Sequence, residues 1–419
     1  MKKTRFLFSV LFLNAFLCLF VLACKNNSAP DETPEKSPYN EVSDEEFIEG
    51  FEISEAKVVK TKTTATMNAW TIIYPSKDPY GNAIMLSAVI SVSTAINADN
   101  PAKALVLYNH ATINKATECP SRGSLWEQSM IAGMASTFPV ITISPDYYGF
   151  GCTQKYHQAY CIGDANAQAS VDALIAAKKL LPELGYSDYG TKLFNMGYSQ
   201  GGQTTMAVLK LVTEKYKDIM FTRTFAGAGP YDLEVFYNEF LASDDLYMPS
   251  AIIDVLYAYN EYEKLGFSLE QLFNKNIIDD FDEWFKSKKY TTSEINTHLG
   301  SLNLNKQNMF TPEVLNKDSD IAKKLLGAFE KDSILNGWTP ATNESIYLYH
   351  HKNDETVTVE TTNALKAFLI KNGLSVSDVA GQGLNITIDD KTEASNNSFH
   401  AAGIWSFLLS VQTQASALL

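Results

Sequence analysis

Basic residues, histidines and cysteines are scarce in this chain, and each shortage excludes something. Its 34 Lys and Arg face 48 Asp and Glu, a formal net charge of -14. No basic run follows the N-terminus, so the electrostatic footprint of a nucleic-acid binder is missing. There are six histidines and no H-E-x-x-H pair, and the five cysteines form no C-x-x-C pair, so no metal site is implied. Gly185-x4-Gly190-Thr191-Lys192 imitates a phosphate loop, but the lysine would have to precede the hydroxyl residue. No nucleotide is implied, and no other cofactor is expected. No internal repeat occurs, which argues against a propeller or solenoid.

The one export-like apolar run is at the N-terminus. Lys2, Lys3 and Arg5 precede Phe6–Ala23, which reads as an export signal. The run ends in Val21-Leu22-Ala23-Cys24, which resembles a bacterial lipobox with Cys24 as the lipidation site. An uncleaved anchor and a plain secretory signal are the competing readings. Residues 25–45 are rich in Pro, Asn, Ser, Asp and Glu and read as a disordered tether. Lys25, rather than aspartate, follows the cysteine, so inner-membrane retention is not implied. The expectation is a lipid-anchored protein of the outer membrane, on its periplasmic side or at the cell surface. In such an oxidising setting Cys152 and Cys161 could close a short loop, or Cys119 could pair with either, and spacing does not choose.

What remains, residues 46–419, has a globular composition, with 45% hydrophobic and 20% charged residues over the whole chain. Ala56–Lys62, Ala65–Tyr74 and Ala83–Val92 alternate like strands. Lys103–Tyr108, Pro139–Ser144, Leu193–Met196, Arg223–Ala228, Ser345–Tyr349 and Leu384–Ile388 are short apolar runs of the kind buried on both faces. Helical patterns alternate with them, at Met130–Thr137, Asp164–Leu181, Gly202–Tyr216, Glu360–Asn372 and Ala401–Val411. This is an α/β pattern with a mostly parallel sheet covered on both faces. Residues 232–340 break the alternation. They lack strand-like runs and carry helical patterns at Ile252–Leu265, Leu269–Lys286 and Ile321–Phe329, as expected of a helical cap inserted at the sheet edge.

The chain is organised around Gly197-Tyr198-Ser199-Gln200-Gly201, a G-x-S-x-G between a strand and a helix. That context reads as a nucleophile elbow, in which side chains at Gly197 or Gly201 would collide with the neighbouring strand and helix. Serine chemistry needs a base and a carboxylate downstream, in the order Ser, Asp, His. His400 is the expected base, in a polar loop before the last helix. Asp354, just after a buried strand, is the expected acid, with Glu355 as nearest rival and Asp389 and Asp390 behind it. The oxyanion would be received by the Gln200 amide and by an amide of the loop after Tyr108, Thr112 or Ala111. His110 then shapes that loop.

Tyr108-Asn109-His110-Ala111-Thr112, Ser144-Pro145-Asp146-Tyr147-Tyr148-Gly149-Phe150-Gly151, the elbow, Trp338-Thr339-Pro340 and the segment around Asp354 together resemble the secretory lipase family of the α/β-hydrolase superfamily. The likeness covers most of residues 50–410 outside the cap. It implies an α/β-hydrolase fold, a helical lid and an esterase or lipase acting on ester substrates through Ser199, Asp354 and His400. The chain departs from the family pattern at Asn109-His110-Ala111, where His-Gly is usual, and at Lys352-Asn353, where a glycine is frequent. A serine peptidase of the prolyl-peptidase type, or a non-catalytic binding lipoprotein, are the alternatives. Oligomeric state is not indicated.

Overall fold

The computed structural model describes residues 39, 41–97, 99–123, 138–243, 246–379, 381–396 and 398–419. The expected N-terminal signal with Cys24, most of the expected tether and the expected helix at Met130–Thr137 lie outside them.

Nine strands form one sheet among the described residues. They are β1 (Lys57–Thr63), β2 (Met67–Lys77), β3 (Ala83–Ser93), β4 (Ala104–Asn109), β5 (Val140–Pro145), β6 (Lys192–Tyr198), β7 (Arg223–Gly227), β8 (Ile346–His351) and β9 (Leu384–Asp389). Their order is β1-β2-β3-β5-β4-β6-β7-β8-β9. β1, β2 and β3 form an antiparallel meander joined antiparallel to β5, and from β5 to β9 every pairing is parallel.

β4, β5, β7 and β8 are buried along their whole length, in keeping with their mostly apolar sequences, and the polar residues they do carry, such as Asn109, Arg223 and His350, are buried with them. The strand period of two sends alternate residues to two cores. Leu105, Leu107, Leu193, Ala226, Ile346 and Leu348 join the larger one. That face is covered by α2 (Gly163–Leu180), α3 (Gln200–Lys215) and α8 (Val359–Lys371). Val106, Tyr108, Phe194, Met196, Phe225 and Tyr349 join the other, under Ile404, Phe407, Leu408 and Val411 of α9 (Phe399–Ser416).

Between β7 and β8 lie the cap helices α4 (Leu233–Ala242), α5 (Pro249–Tyr262), α6 (Thr292–Ser301) and α7 (Asp320–Asp332), with shorter turns between them. One expected cap helix, Leu269–Lys286, is instead three pieces, Leu269–Leu272, Lys275–Ile278 and a π-helical turn at Phe281–Lys286. The break follows from Phe273 and Asn274. Phe273 is extended and bridges to Phe310, and the Asn274 side chain donates to the carbonyls of Gln307 and Phe310. The cap is docked by polar contacts. Asp332 of α7 accepts from the amides of Gly163 and Asp164 at 2.7 and 3.2 Å, supplying the N-terminal cap that α2 lacks locally. Asp254 of α5 accepts from Asn114 at 2.7 Å.

Two boundaries move. The packed chain begins before residue 46. Val42 donates to the Val59 carbonyl, and Ser43 caps α1 (Asp44–Glu49), whose Phe47 is fully buried. Packing therefore begins a few residues before 46, the expected start of the folded part. The last helix starts at Phe399 rather than Ala401, because Ser398 caps it by accepting from the Ala401 amide. His400 thus sits in a first helical turn, not in a loop. All three described cysteines are free. Cys161, Cys119 and Cys152 are each buried in a different apolar cluster, which leaves none a partner to pair with.

Candidate active site

β6 and α3 meet at Ser199, which has φ 58 and ψ -125. That is a left-handed backbone for a residue with a side chain, so the turn is strained. The surrounding backbone over-determines it. The Ser199 amide donates to Gly227 O at 2.9 Å, and its carbonyl accepts from Gln203 at 3.1 Å. A Cβ on Gly197 would lie 2.3 Å from Gly201 O and 2.6 Å from Asn109 O, and one on Gly201 would lie 2.0 Å from Asn109 O. The expected collisions with strand and helix are therefore real, and the strand concerned is β4.

The structure brings the three expected side chains together. His400 Nε2 is 2.9 Å from Ser199 Oγ, and His400 Nδ1 is 2.6 Å from Asp354 Oδ2. A carboxylate only accepts, so Nδ1–H donates to Asp354 and Nε2 accepts from the serine hydroxyl. Asp354 Oδ1 accepts from the amides of Thr356 and Val357 at 3.0 and 2.8 Å. Burial alone would push the Asp354 carboxyl up. The facing His400 and His350 and their hydrogen bonds override it and hold it far below the usual carboxylate range. Burial would likewise lower His400, but the charge and hydrogen bond of Asp354 win and raise it above 6.5.

Supporting contacts escaped sequence reasoning. His350 Nε2 donates to Val357 O at 2.7 Å and lies 3.4 Å from Asp354 Oδ2, while its Nδ1 accepts from Thr362. Tyr198 donates to the His400 carbonyl at 2.9 Å. Glu355 accepts from the Phe399 amide at 3.0 Å and from the Ser398 hydroxyl. It therefore anchors the first turn that carries His400, and does not contact His400 as Asp354 does. Asp389 is engaged by Tyr349 and Thr392, at 2.7 Å for Tyr349. Asp390 lies 3.7 Å from Lys352.

Gln200 opens α3, where the first amides have no intrahelical acceptor and carry the positive end of the helix dipole. Thr112 Oγ1 is 2.8 Å from the Tyr160 hydroxyl, and Tyr160 lines the recess at Ser199. His110 is buried, donates from Nδ1 to Ala111 O at 2.7 Å and stacks on Tyr147. Burial pushes it down to about 4, so it is a neutral scaffold of that loop. Asn109 is buried too, donating to Asn195 at 2.9 Å and to Thr205 at 3.0 Å.

The recess is walled on the core side by Tyr160, Pro230, Thr356 and Val357, and on the cap side by Phe236, Met248, Ala251 and Val255. Its volume is about 10 Å³, room for roughly one water. Ser199 is 5% exposed beneath these cap side chains. Among the described residues no group of three or more His, Cys, Asp or Glu is arranged to hold a metal ion.

No family model matches the chain, and no curated protein sequence matches it. Solved structures do. The rice cell wall degrading esterase LipA of Xanthomonas oryzae is 18% identical with a TM-score of 0.71, over 86% of this chain and 97% of that one. A putative hydrolase of Legionella pneumophila is 21% identical with a TM-score of 0.67, over 85% and 90%. Candida antarctica lipase A is 15% identical with a TM-score of 0.58, over 80% and 76%. The chain has the α/β-hydrolase fold.

Proposed function

We propose that this chain is a serine hydrolase of carboxylic esters. The observation that carries the proposal is the relay Ser199–His400–Asp354, at 2.9 and 2.6 Å, with the serine on a strained elbow. Ser199 attacks the ester carbonyl while His400 takes its proton, and Asp354 holds the imidazole in the required tautomer and stabilises its charged form. The Gln200 amide and an amide of the Thr112 loop receive the oxyanion. His400 then gives the proton to the leaving alcohol. Water, deprotonated by His400, releases the acid from the acyl-enzyme and restores Ser199. The α/β-hydrolase fold shared with esterases and lipases supports this reading.

A purely binding role would not require a histidine held between Ser199 and Asp354. The same relay serves amide hydrolysis, so the test carries an amide arm. Residues 25–419 are incubated with a fluorophosphonate, then with ester and peptide panels. Labelling of Ser199 with turnover of esters is expected. Turnover of peptides alone sinks the ester reading, and absence of label sinks the hydrolase. Export as an outer-membrane lipoprotein belongs to the same proposal, motivated by Ala23-Cys24, and a mature chain lacking a lipidated Cys24 in mass spectra would refute it.

A further inference from the structure

Tyr160 stands in the recess beside Ser199 and Gln200, and neither the elbow nor the relay accounts for how firmly it is held. It is 3% exposed, on the segment between β5 and α2. Both of its neighbours along the chain are tied down. The Ala159 carbonyl accepts from the Ile162 amide and from Asn166 Nδ2, each at 3.1 Å. The Cys161 carbonyl accepts from Gln203 Nε2 at 2.9 Å and from the Tyr259 hydroxyl at 3.0 Å. Gln203 belongs to the first turn of α3, so the elbow helix itself grips this segment. Cys161 has φ 56, a left-handed backbone for a residue with a side chain. Strain of that kind persists only where surrounding contacts impose it, and it clusters at active sites.

The phenol reaches the loop after β4, where its hydroxyl lies 2.8 Å from Thr112 Oγ1. That loop is pinned as well. Asn114 donates to Asp254 at 2.7 Å and accepts from the Thr292 hydroxyl at 2.7 Å. Two hydroxyls carry two protons, and the hydrogen bond between them uses one. The other proton has no oxygen or nitrogen acceptor among the described residues. The Cys161 sulfur beside the phenol accepts only weakly. Burial pushes the phenol well above the usual tyrosine range, so it keeps its proton at neutral pH and remains a donor. Tyr160, not Thr112, lines the recess. The arrangement that uses every group has Thr112 donating to Tyr160 and the Tyr160 O–H turned toward Ser199. A hydroxyl that accepts one hydrogen bond donates the next more strongly.

On the serine-hydrolase reading, and resting on it, we propose that Tyr160 is a further catalytic residue, whose hydroxyl donates a hydrogen bond to the oxyanion formed when Ser199 attacks. It joins the Gln200 amide and the amide of the Thr112 loop. The O–H bond stays intact throughout. The phenol holds the negative charge while the tetrahedral centre exists, and the charge returns to the carbonyl as the alcohol leaves with the proton from His400. A hydrogen bond that strengthens as charge develops acts on kcat and leaves KM nearly alone.

The test is Tyr160→Phe in the whole soluble chain, a change that deletes one oxygen and keeps the ring. On 4-nitrophenyl acetate and butanoate, kcat should fall about 10²-fold on both, with KM within about twofold of the parent. Thr112→Val leaves the phenol without its donor and should cost about three- to tenfold. Thr112→Ser, which returns the hydroxyl, should recover most of that loss. The double variant Tyr160→Phe/Thr112→Val should be about as slow as Tyr160→Phe alone, because the threonine acts through the tyrosine. The readout that a merely structural role would not move is inhibition by a trifluoromethyl ketone, which Ser199 converts into a tetrahedral oxyanion. Its inhibition constant should rise by the same factor by which kcat/KM falls. A Tyr160→Phe variant with kcat within about twofold of the parent overturns the assignment. So does a slow variant that the ketone inhibits as well as it does the parent. Should circular dichroism show Tyr160→Phe unfolded, Thr112→Val is compared with Thr112→Ser, and equal ketone inhibition of the two overturns it. A parent that cleaves no ester and takes no fluorophosphonate label would instead strike the hydrolase reading.

Discussion

The two walls around Ser199 are made of different materials. On the sheet side nearly every group near the relay is polar and hydrogen-bonded: Asp354 to two amides, His350 to Val357 and Thr362, Tyr198 to the backbone of His400, Asn109 to Asn195 and Thr205. On the cap side Phe236, Met248, Ala251 and Val255 offer only apolar surface. A buried polar network has one satisfied arrangement, so it holds atoms in place. An apolar wall tolerates change of shape so long as volume is filled. In the proposed mechanism the sheet side therefore sets how fast the bond breaks, and the cap side sets what fits. Substitutions on the first wall should move kcat for every substrate alike, and substitutions on the second should move ratios between substrates.

The hardest test of that division is the relay. Ser199→Ala or His400→Ala should each lower kcat by about 10⁴–10⁶ on every ester, and the double variant should be about as slow as either single one, because the residues act as a unit. Rates from stopped-assay turnover and a check of folding by circular dichroism decide this. A slowing that depended on acyl length would blur the two walls. Asp354→Asn comes next, with a loss of about 10³–10⁴. It also moves the pH profile. His400 must be neutral to take the serine proton, and its pKa lies above 6.5 because Asp354 outweighs burial. Activity in the parent should therefore fall as pH drops through a value above 6.5. Without the carboxylate, burial prevails and the acid limb of kcat/KM should shift to lower pH. An unmoved limb would separate Asp354 from the relay.

The sheet side was the more readable of the two in sequence, for physical reasons. A strand buried on both faces is mostly apolar, and an elbow packed against a neighbouring backbone must be glycine at fixed offsets, so β4, β6 and Gly197-x-Ser199-x-Gly201 announce themselves locally. Order along the chain points to Asp354 and His400, and the structure places them in a line with Ser199. The parts that stayed hidden depend on partners distant in sequence. Nothing near Phe273 and Asn274 says that Phe310 will break a helix there. No spacing rule shows that Cys119, Cys152 and Cys161 fall in three separate cores. Glu355 looked like a rival acid because rank in the chain does not tell which of two adjacent carboxylates faces the histidine. The pairing of Tyr160 with Thr112 joins the segment after β5 to the loop after β4, and no local pattern connects them.

Glu355 sharpens the comparison at intermediate size. It grips the Ser398 hydroxyl and the Phe399 amide, one residue from His400. Its charge also contributes to raising His400, after Asp354. Glutamine keeps the shape but offers only one acceptor atom and no charge. Glu355→Gln should lower kcat about 10–100-fold through misplacement of the imidazole, leave KM nearly unchanged, and shift the acid limb slightly downward. A role in stability alone would lower the melting temperature without moving that limb.

The smallest effect is expected on the cap wall, and it is also the most specific. Val255 is 4% exposed and faces the recess from α5, with Phe236 opposite the same space on α4. The recess holds about 10 Å³, so an acyl chain enters only where the cap side chains yield. Val255→Ala removes two methyl groups from the wall and should favour esters longer by one or two methylenes. Each methylene accommodated is worth about 1–3 kcal/mol. After the loss of packing in the enlarged recess, the ratio of kcat/KM for butanoate over acetate esters should rise about tenfold. Phe236→Ala should act in the same direction and favour longer chains still. Neither residue touches the relay, so kcat on acetate should stay within about threefold of the parent. A uniform loss on all esters would mean that the cap helps to hold the relay, and the division between the two walls would fail. A changed chain-length ratio with unchanged acetate turnover would fix the cap as the wall that selects.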